Sequence, residues 1–259
     1  MIDLPTSEIF AAALAEPRIY AAMAVAALAG ITRGFSGFGG AMIYMPLVSA
    51  IYDPRIAAVT VLLVDLVSAT PFAIPEMRRC TWREVGPLSI ALAAGLPLGV
   101  WLLIVLDPIV LRWIIAALVF GLLAVLASGW RYRGRPSLPV TTGVGFVAGL
   151  GSGAVQIAGP AVIIFWLGGA SDAATVRANL MVFFLLMGAI TGIAYLTQGI
   201  ITADVLALAV LLGLPFILAM WAGARWFRRS SEQAYRRAAY LIIVAAAIVS
   251  MPLWDGWIR

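Results

Sequence analysis

Four glycines fall within "GFSGFGG" (Gly34 to Gly40), directly after Arg33, in a stretch otherwise rich in Ala, Val, Ile, Leu and Met. A helix broken there turns unpaired N–H groups toward the gap, and a helix resuming near Gly40 adds the positive end of its dipole; both favour an anion. Arg33 contributes a planar guanidinium whose fork matches two oxygens of an oxyanion. A second cluster, "GLGSG" (Gly149 to Gly153), offers the same chemistry to a helix resuming near Ala154. Glycine at such points permits the dihedrals of a break and lets a ligand approach the backbone. The competing use is close helix packing, because Gly30 and Gly34, and Gly145 and Gly149, are spaced as in small-xxx-small motifs.

The candidate anion ligands are therefore Arg33, Gly34, Ser36, Gly37, Gly39 and Gly40 in the first cluster, and Gly151, Ser152, Gly153 and Gln156 in the second. Thr60, Arg177 and Asn179 join them, near the starts of the apolar runs that follow each cluster. Their hydroxyls and amides can hold oxyanion oxygens, although a Ser or Thr in a membrane helix also bonds its own backbone. Asp65 is the acidic residue near the centre of an apolar run. It is the candidate for proton coupling, since burial raises a carboxyl pKa and a nearby arginine lowers it; a fixed salt bridge with Arg33 is the structural alternative. Arg112, beside Asp107 and Trp113, reads as an anchor at a membrane edge.

Other chemistries find little to work with. The chain has no histidine and one cysteine, Cys80, so an internal disulfide is excluded and metal, haem and iron–sulfur sites are poorly supplied. No nucleophile stands with a base, so an enzyme is not expected, nor any cofactor. The net charge of +5 sits in short loops between apolar runs, where it orients a membrane protein rather than binding nucleic acid.

These residues need elements to carry them. With 63% hydrophobic and 11% charged residues, the chain reads as an all-α polytopic membrane protein. Its apolar sequence suffices for about eight membrane segments of roughly 20 residues. The opening "MIDLPTSEIF" has no basic n-region, so no cleaved signal peptide is expected. Three arginine-rich loops carry Arg78, Arg79 and Arg83; Arg131, Arg133 and Arg135; and Arg225, Arg228, Arg229, Arg236 and Arg237. The positive-inside rule assigns all three to the cytoplasm, in a bacterial inner membrane with both termini periplasmic.

Single crossings between the second and third loops would leave the third outside. The conflict disappears if 139–168 is a re-entrant hairpin broken at Gly149 to Gly153; the arm from Pro139 to Leu150 would reach only about 18 Å. The first cluster reads the same way, with arms 19–33 and 40–52. An inverted repeat follows. After an N-terminal segment (1–17), repeat 1 (18–130) holds a hairpin (18–52) and helices 54–74, 85–105 and 108–128. A linker (131–138) leads to repeat 2 (139–259), with a hairpin (139–168) and helices 173–197, 203–224 and 238–254. "GITRGFSGFGGAMIYMP" pairs with "GFVAGLGSGAVQIAGP", and Pro97 pairs with Pro215 as kinks of equivalent helices.

The stretches "GFSGFGGAMIYMP" with "PRIAAVTVLLVD", and "GFVAGLGSGAVQIAGP" with "TVRANLMVFF", resemble those of the sulfite exporter TauE/SafE family of membrane transporters, over essentially the whole chain. Phe38 and Ala41 depart from that family's first signature, and Ala154, Val155 and Gln156 from its second. The resemblance implies a small sulfur-containing anion, sulfite or an organosulfonate, as substrate, usually moved outward. Taken together, the expectation is a secondary transporter, an exporter, working by alternating access with the anion between two broken-helix half-sites. Its partners are the anion and the lipid bilayer, with proton coupling through Asp65 and the oligomeric state left open. An anion channel, or a transporter of another small carboxylate or inorganic anion, is the alternative.

Overall fold

The computed structural model describes residues 4–36, 39–128, 137–167, 172–227 and 232–254. Among them eleven α-helices follow one another without a strand. These are α1 (Ser7–Ala15), α2 (Arg18–Ser36), α3 (Gly40–Ile51), α4 (Pro54–Glu76), α5 (Trp82–Val105) and α6 (Pro108–Ala127). After them come α7 (Leu138–Val155), α8 (Gly159–Leu167), α9 (Ala173–Thr197), α10 (Ala203–Phe227) and α11 (Glu232–Val249), with a short 3-10 turn at Pro252–Trp254.

Local chemistry sets several starts. The Asp53 carboxylate accepts the N–H of Arg55 at 2.7 Å and that of Asp107 accepts the N–H of Ile109 at 2.7 Å. In both cases proline follows the aspartate, where its missing N–H costs nothing. Asp172 caps α9 by accepting from the N–H groups of Ala174 and Thr175, each at 2.9 Å. Those bonds hold its carboxyl below the usual carboxylate range.

Six of the described helices are long and apolar enough to cross a membrane, or up to seven if α1 and α2, bent by 91°, form one span. Of the others, α3 has 12 residues and α8 has 9, so they reach only about 18 Å and 14 Å. Neither traverses a hydrocarbon core of about 30 Å.

The second break lies elsewhere than the sequence suggests. α7 runs unbroken through Gly149 to Gly153 for 18 residues, about 27 Å, and the chain leaves the helix only at Gln156. A neighbouring helix is the reason. A Cβ on Gly145, Gly149 or Gly153 would fall on the carbonyl of Leu88, Leu92 or Leu96 of α5, so the bare backbone of α7 is covered by another helix. That contact offsets glycine's poor helix propensity, about 1 kcal/mol per residue. In the first cluster α2 continues to Ser36, past the expected end at residue 33; Gly37 and Phe38 lie outside the described residues.

The helices group into two compact units. The first comprises Met1–Val64, Leu106–Gly121 and Gly199–Arg259. Here α2 lies along α10, and α3 packs on α2 and α11. The second comprises Asp65–Val105 and Leu122–Gln198, with α7 along α5, α9 also on α5, and α8 against α7 and α9. In each unit the long pair runs parallel, because the contacts ascend together: Gly30 meets Phe216 and Gly34 meets Met220, while Gly145 meets Leu88 and Gly149 meets Leu92. The partner helix returns the approach in the same register, Gly223 to Ile31 in the first unit and Gly95 to Phe146 in the second. In that register Phe216 occupies the position of Leu88. Pro215 therefore corresponds to Pro87, which corrects the pairing with Pro97.

Both short helices turn back toward the starts of the long ones. Tyr52, just beyond α3, carries the Arg18 guanidinium over its ring at 4.6 Å, and Arg18 opens α2. Trp166, near the end of α8, donates its indole N–H to Glu84 in the first turn of α5 at 3.0 Å.

Candidate functional site

At the first turn, Arg33 sits in the last turn of α2, and a Cβ on Gly40 would stand 3.0 Å from the Cβ of Arg33. The arginine stem thus lies over the first residue of α3. As a basic residue in the last turn of α2, Arg33 complements the negative end of that helix. Gly39, the N-cap of α3, has φ +89°, a left-handed conformation that excludes most side chains. Gly34 does a different job. A Cβ there would fall on the Met220 carbonyl, so its open face is filled by α10 and not by a ligand.

Thr60 is fully buried; its hydroxyl donates to the Ile56 carbonyl at 2.7 Å and accepts from the Tyr44 hydroxyl at 3.0 Å. It thereby ties α4 to α3. Asp65 is half-buried on α4, and its backbone carbonyl accepts the Ser68 hydroxyl at 3.1 Å. Ser36 is the last residue of α2, but its side chain, like the whole of Gly37, lies outside the described residues.

At the second turn, Gln156 has φ +54°, the one non-glycine residue with positive φ among the described residues. Its backbone N–H closes on the carbonyls of Gly151 and Ser152, and its side-chain amide donates to the Tyr195 hydroxyl at 3.2 Å. That hydroxyl in turn donates to the Gly153 carbonyl at 2.9 Å. Ser152 and Thr191 share a hydrogen bond at 3.0 Å, and the Thr191 hydroxyl reaches the Met187 carbonyl at 2.8 Å. Gly151, Ser152, Gly153 and Gln156 are thus brought together, and the Tyr195 hydroxyl of α9 satisfies the Gly153 carbonyl freed where α7 ends.

Asn179 is not part of that group. It stands 12 residues before Thr191, about 18 Å away along α9. Fully buried, it donates to the Glu84 carboxylate at 3.0 Å and accepts the Thr81 N–H at 2.7 Å. Arg177, two residues earlier and so on another face of the helix, is exposed. The expectation that Asn179 lies beside the second break is corrected accordingly. So is the anchor reading of Arg112: it is 6% exposed, and its guanidinium donates to the Ser250 carbonyl at 3.2 and 2.7 Å, fastening α6 to the end of α11.

Sequence reasoning missed Tyr44, Tyr195, Thr191 and Glu84. The two tyrosines carried a usable signal, because a tyrosine inside an apolar helix must find a partner for its hydroxyl. Glu84 was hidden by the arginines around it.

Long apolar helices, two short helices that turn back, and polar groups gathered at glycine-rich turns define a polytopic helical membrane protein. Among the described residues no three His, Cys, Asp or Glu side chains assemble as metal ligands. The sequence model of the sulfite exporter TauE/SafE family matches residues 22–250, most of the chain, and the chain belongs to that family. The family implies membrane transport of sulfite or a related anion. No curated protein and no solved structure matches the chain.

Proposed function

We propose that the chain is a secondary transporter that exports a small sulfur-containing anion, sulfite or an organosulfonate, by alternating access. The observation that carries this reading is the stem of Arg33 lying over Gly40, the first residue of α3, where the first hairpin turns. Arg33 and the N–H groups at Gly39 and Gly40 bind the oxyanion there, and Ser36 and Gly37 are further candidates from the sequence. The second turn, framed by Gly151, Ser152, Gly153 and Gln156, offers a second set of anion ligands within its own unit, with Gln156 its polar side chain. Thr60 ties α4 to α3 behind the first turn, Asn179 and Arg177 stand at the far end of α9 from the second, and Asp65 couples a proton to the anion.

Two observations favour an inverted repeat of eight segments. The glycine contacts repeat with the same spacing in both units, and α3 and α8 each return toward the level at which their hairpin began. A second hairpin that enters and leaves on one face leaves the three arginine-rich loops on a common side, the cytoplasm, with periplasmic termini.

Thermal unfolding of the purified protein against sulfite, sulfate, thiosulfate, taurine, isethionate, sulfoacetate and acetate tests this. A bound anion at 100 times its Kd adds about 2.7 kcal/mol of apparent stability. Sulfite or a sulfonate should raise Tm in the wild type and leave it unchanged in Arg33→Ala, while Arg33→Ala itself remains folded. Stabilisation by acetate alone removes the sulfur assignment; undiminished stabilisation of Arg33→Ala removes the arginine from the site.

A further inference from the structure

A single carboxylate oxygen joins three elements of the second unit. Oε2 of Glu84, in the first turn of α5, accepts the indole N–H of Trp166 from α8 at 3.0 Å and the side-chain amide of Asn179 from α9 at 3.0 Å. Asn179 extends the bond to the loop before α5, accepting the Thr81 N–H at 2.7 Å. Both donors are buried, Asn179 at 0% and Trp166 at 2% exposure. The two arms of the hairpin are held differently. α7 is locked to α5 along its length by glycine contacts that no proton can alter. α8 has only 9 residues, and its tie to α5 runs through a titratable group.

We propose that Glu84 is a proton-operated latch that fastens α8 and α9 to the start of α5 and releases them when it is protonated. The chemistry is that of charge-assisted bonds: two N–H donors converge on one oxygen because it carries negative charge, and neutralising the carboxylate weakens both at once. Trp166 also stacks edge-on against Phe183 of α9 at 5.7 Å, so α8 and α9 move as one body when the latch opens. Other charges lie around this end of the unit. Arg78, Arg79 and Arg83 are exposed on the loop and first turn, Arg79 within 3.8 Å of Glu76 at the end of α4. Asp172 and exposed Arg177 stand at the start of α9, whereas α7 and α8 carry no charged residue. Glu84 is a positioning residue, acting through Asn179 and Trp166. As a gate it rests on the transport reading, since a latch on one side of a hairpin serves alternating access.

The protein carries its own reporter. Cys80 lies next to Thr81, whose N–H belongs to the latch, and it is the one cysteine of the chain. The labelling rate of Cys80 by a maleimide is measured in the full-length protein in detergent, across a pH series, for wild type, Glu84→Gln and Trp166→Phe. Glu84→Gln imitates the protonated carboxyl; Trp166→Phe deletes one donor and keeps the ring packing. At neutral pH the Trp166→Phe rate should exceed that of the wild type roughly tenfold, the effect of losing one charge-assisted bond, and the Glu84→Gln rate, with both bonds discharged, by at least as much. The ratio of the Trp166→Phe rate to the wild-type rate, both proteins keeping the Glu84 carboxylate, should fall toward one as pH is lowered and the wild-type latch opens. Equal rates for all three proteins across the series overturn the latch. Should Glu84→Gln fail to fold, Trp166→Phe decides by the same comparison. Anion stabilisation is recorded on the same samples: its absence with the labelling difference intact sinks the transport reading and spares the latch, and the converse sinks the latch alone.

Discussion

Gln156 holds a backbone conformation that costs an L side chain about 1–2 kcal/mol, at the point where α7 ends. What offsets the strain is Tyr195, fully buried, whose hydroxyl takes both the Gln156 amide and the Gly153 carbonyl. The two residues should therefore respond unequally to substitution. Gln156→Gly loses one neutral hydrogen bond but relieves the left-handed strain, so its Tm should stay close to that of the wild type. Tyr195→Phe strands a buried carbonyl and a buried amide together and should cost about 1–3 kcal/mol, read as a lower midpoint in thermal unfolding. If Gln156 also touches the anion, Gln156→Gly keeps its fold and loses ligand stabilisation, a split that a merely structural glutamine would not give. The reverse order of midpoints would mean that Tyr195 is not what holds the turn.

For the helices, the decisive feature is which face each glycine presents. Gly149 and Gly143 both lie on α7, yet a Cβ on Gly149 would meet the Leu92 backbone and one on Gly143 would meet nothing within 4 Å. Gly149→Ala should thus force α7 away from α5 and cost about 1–3 kcal/mol, the usual range for overpacking, whereas Gly143→Ala should be neutral or gain up to about 1 kcal/mol of helix propensity. Thermal unfolding of the two variants side by side checks this, and equal midpoints would show that the glycine face is not a packing face. The same contrast explains what could be read from the sequence. Starts such as Asp53-Pro54 and Asp107-Pro108 are legible because cap and proline act within a few residues. The end of α7 is not, because a glycine cluster serves a break and a close contact equally well. The choice at Gly149 to Gly153 is made by α5, far earlier in the chain. The placement of Asn179 was illegible for a related reason: position near a helix start does not say whether the partner is a ligand or a carboxylate such as Glu84 on another helix.

Across the whole molecule, neither unit is built from one half of the sequence. The first joins α2 and α3 to α10 and α11, and the second joins α7, α8 and α9 to α5. A half of the sequence is therefore not a compact unit in space. The backbone-to-backbone approach at Gly30 and Gly34 needs α10, and that at Gly145 and Gly149 needs α5, so each half of the chain carries a bare glycine stripe that only the other half covers. Splitting the chain within residues 129–136 and producing the halves separately should leave neither able to give a cooperative thermal transition, since each lacks the partner of its longest helix contact. Produced together in one membrane, the halves should copurify through a tag on either one and recover the unfolding midpoint of the intact protein to within a few degrees, the covalent connection contributing little beyond closure entropy. A first half that unfolds cooperatively by itself, with the midpoint of the intact chain, would mean that α2 finds its cover without α10, and the interleaved assembly would have to be abandoned.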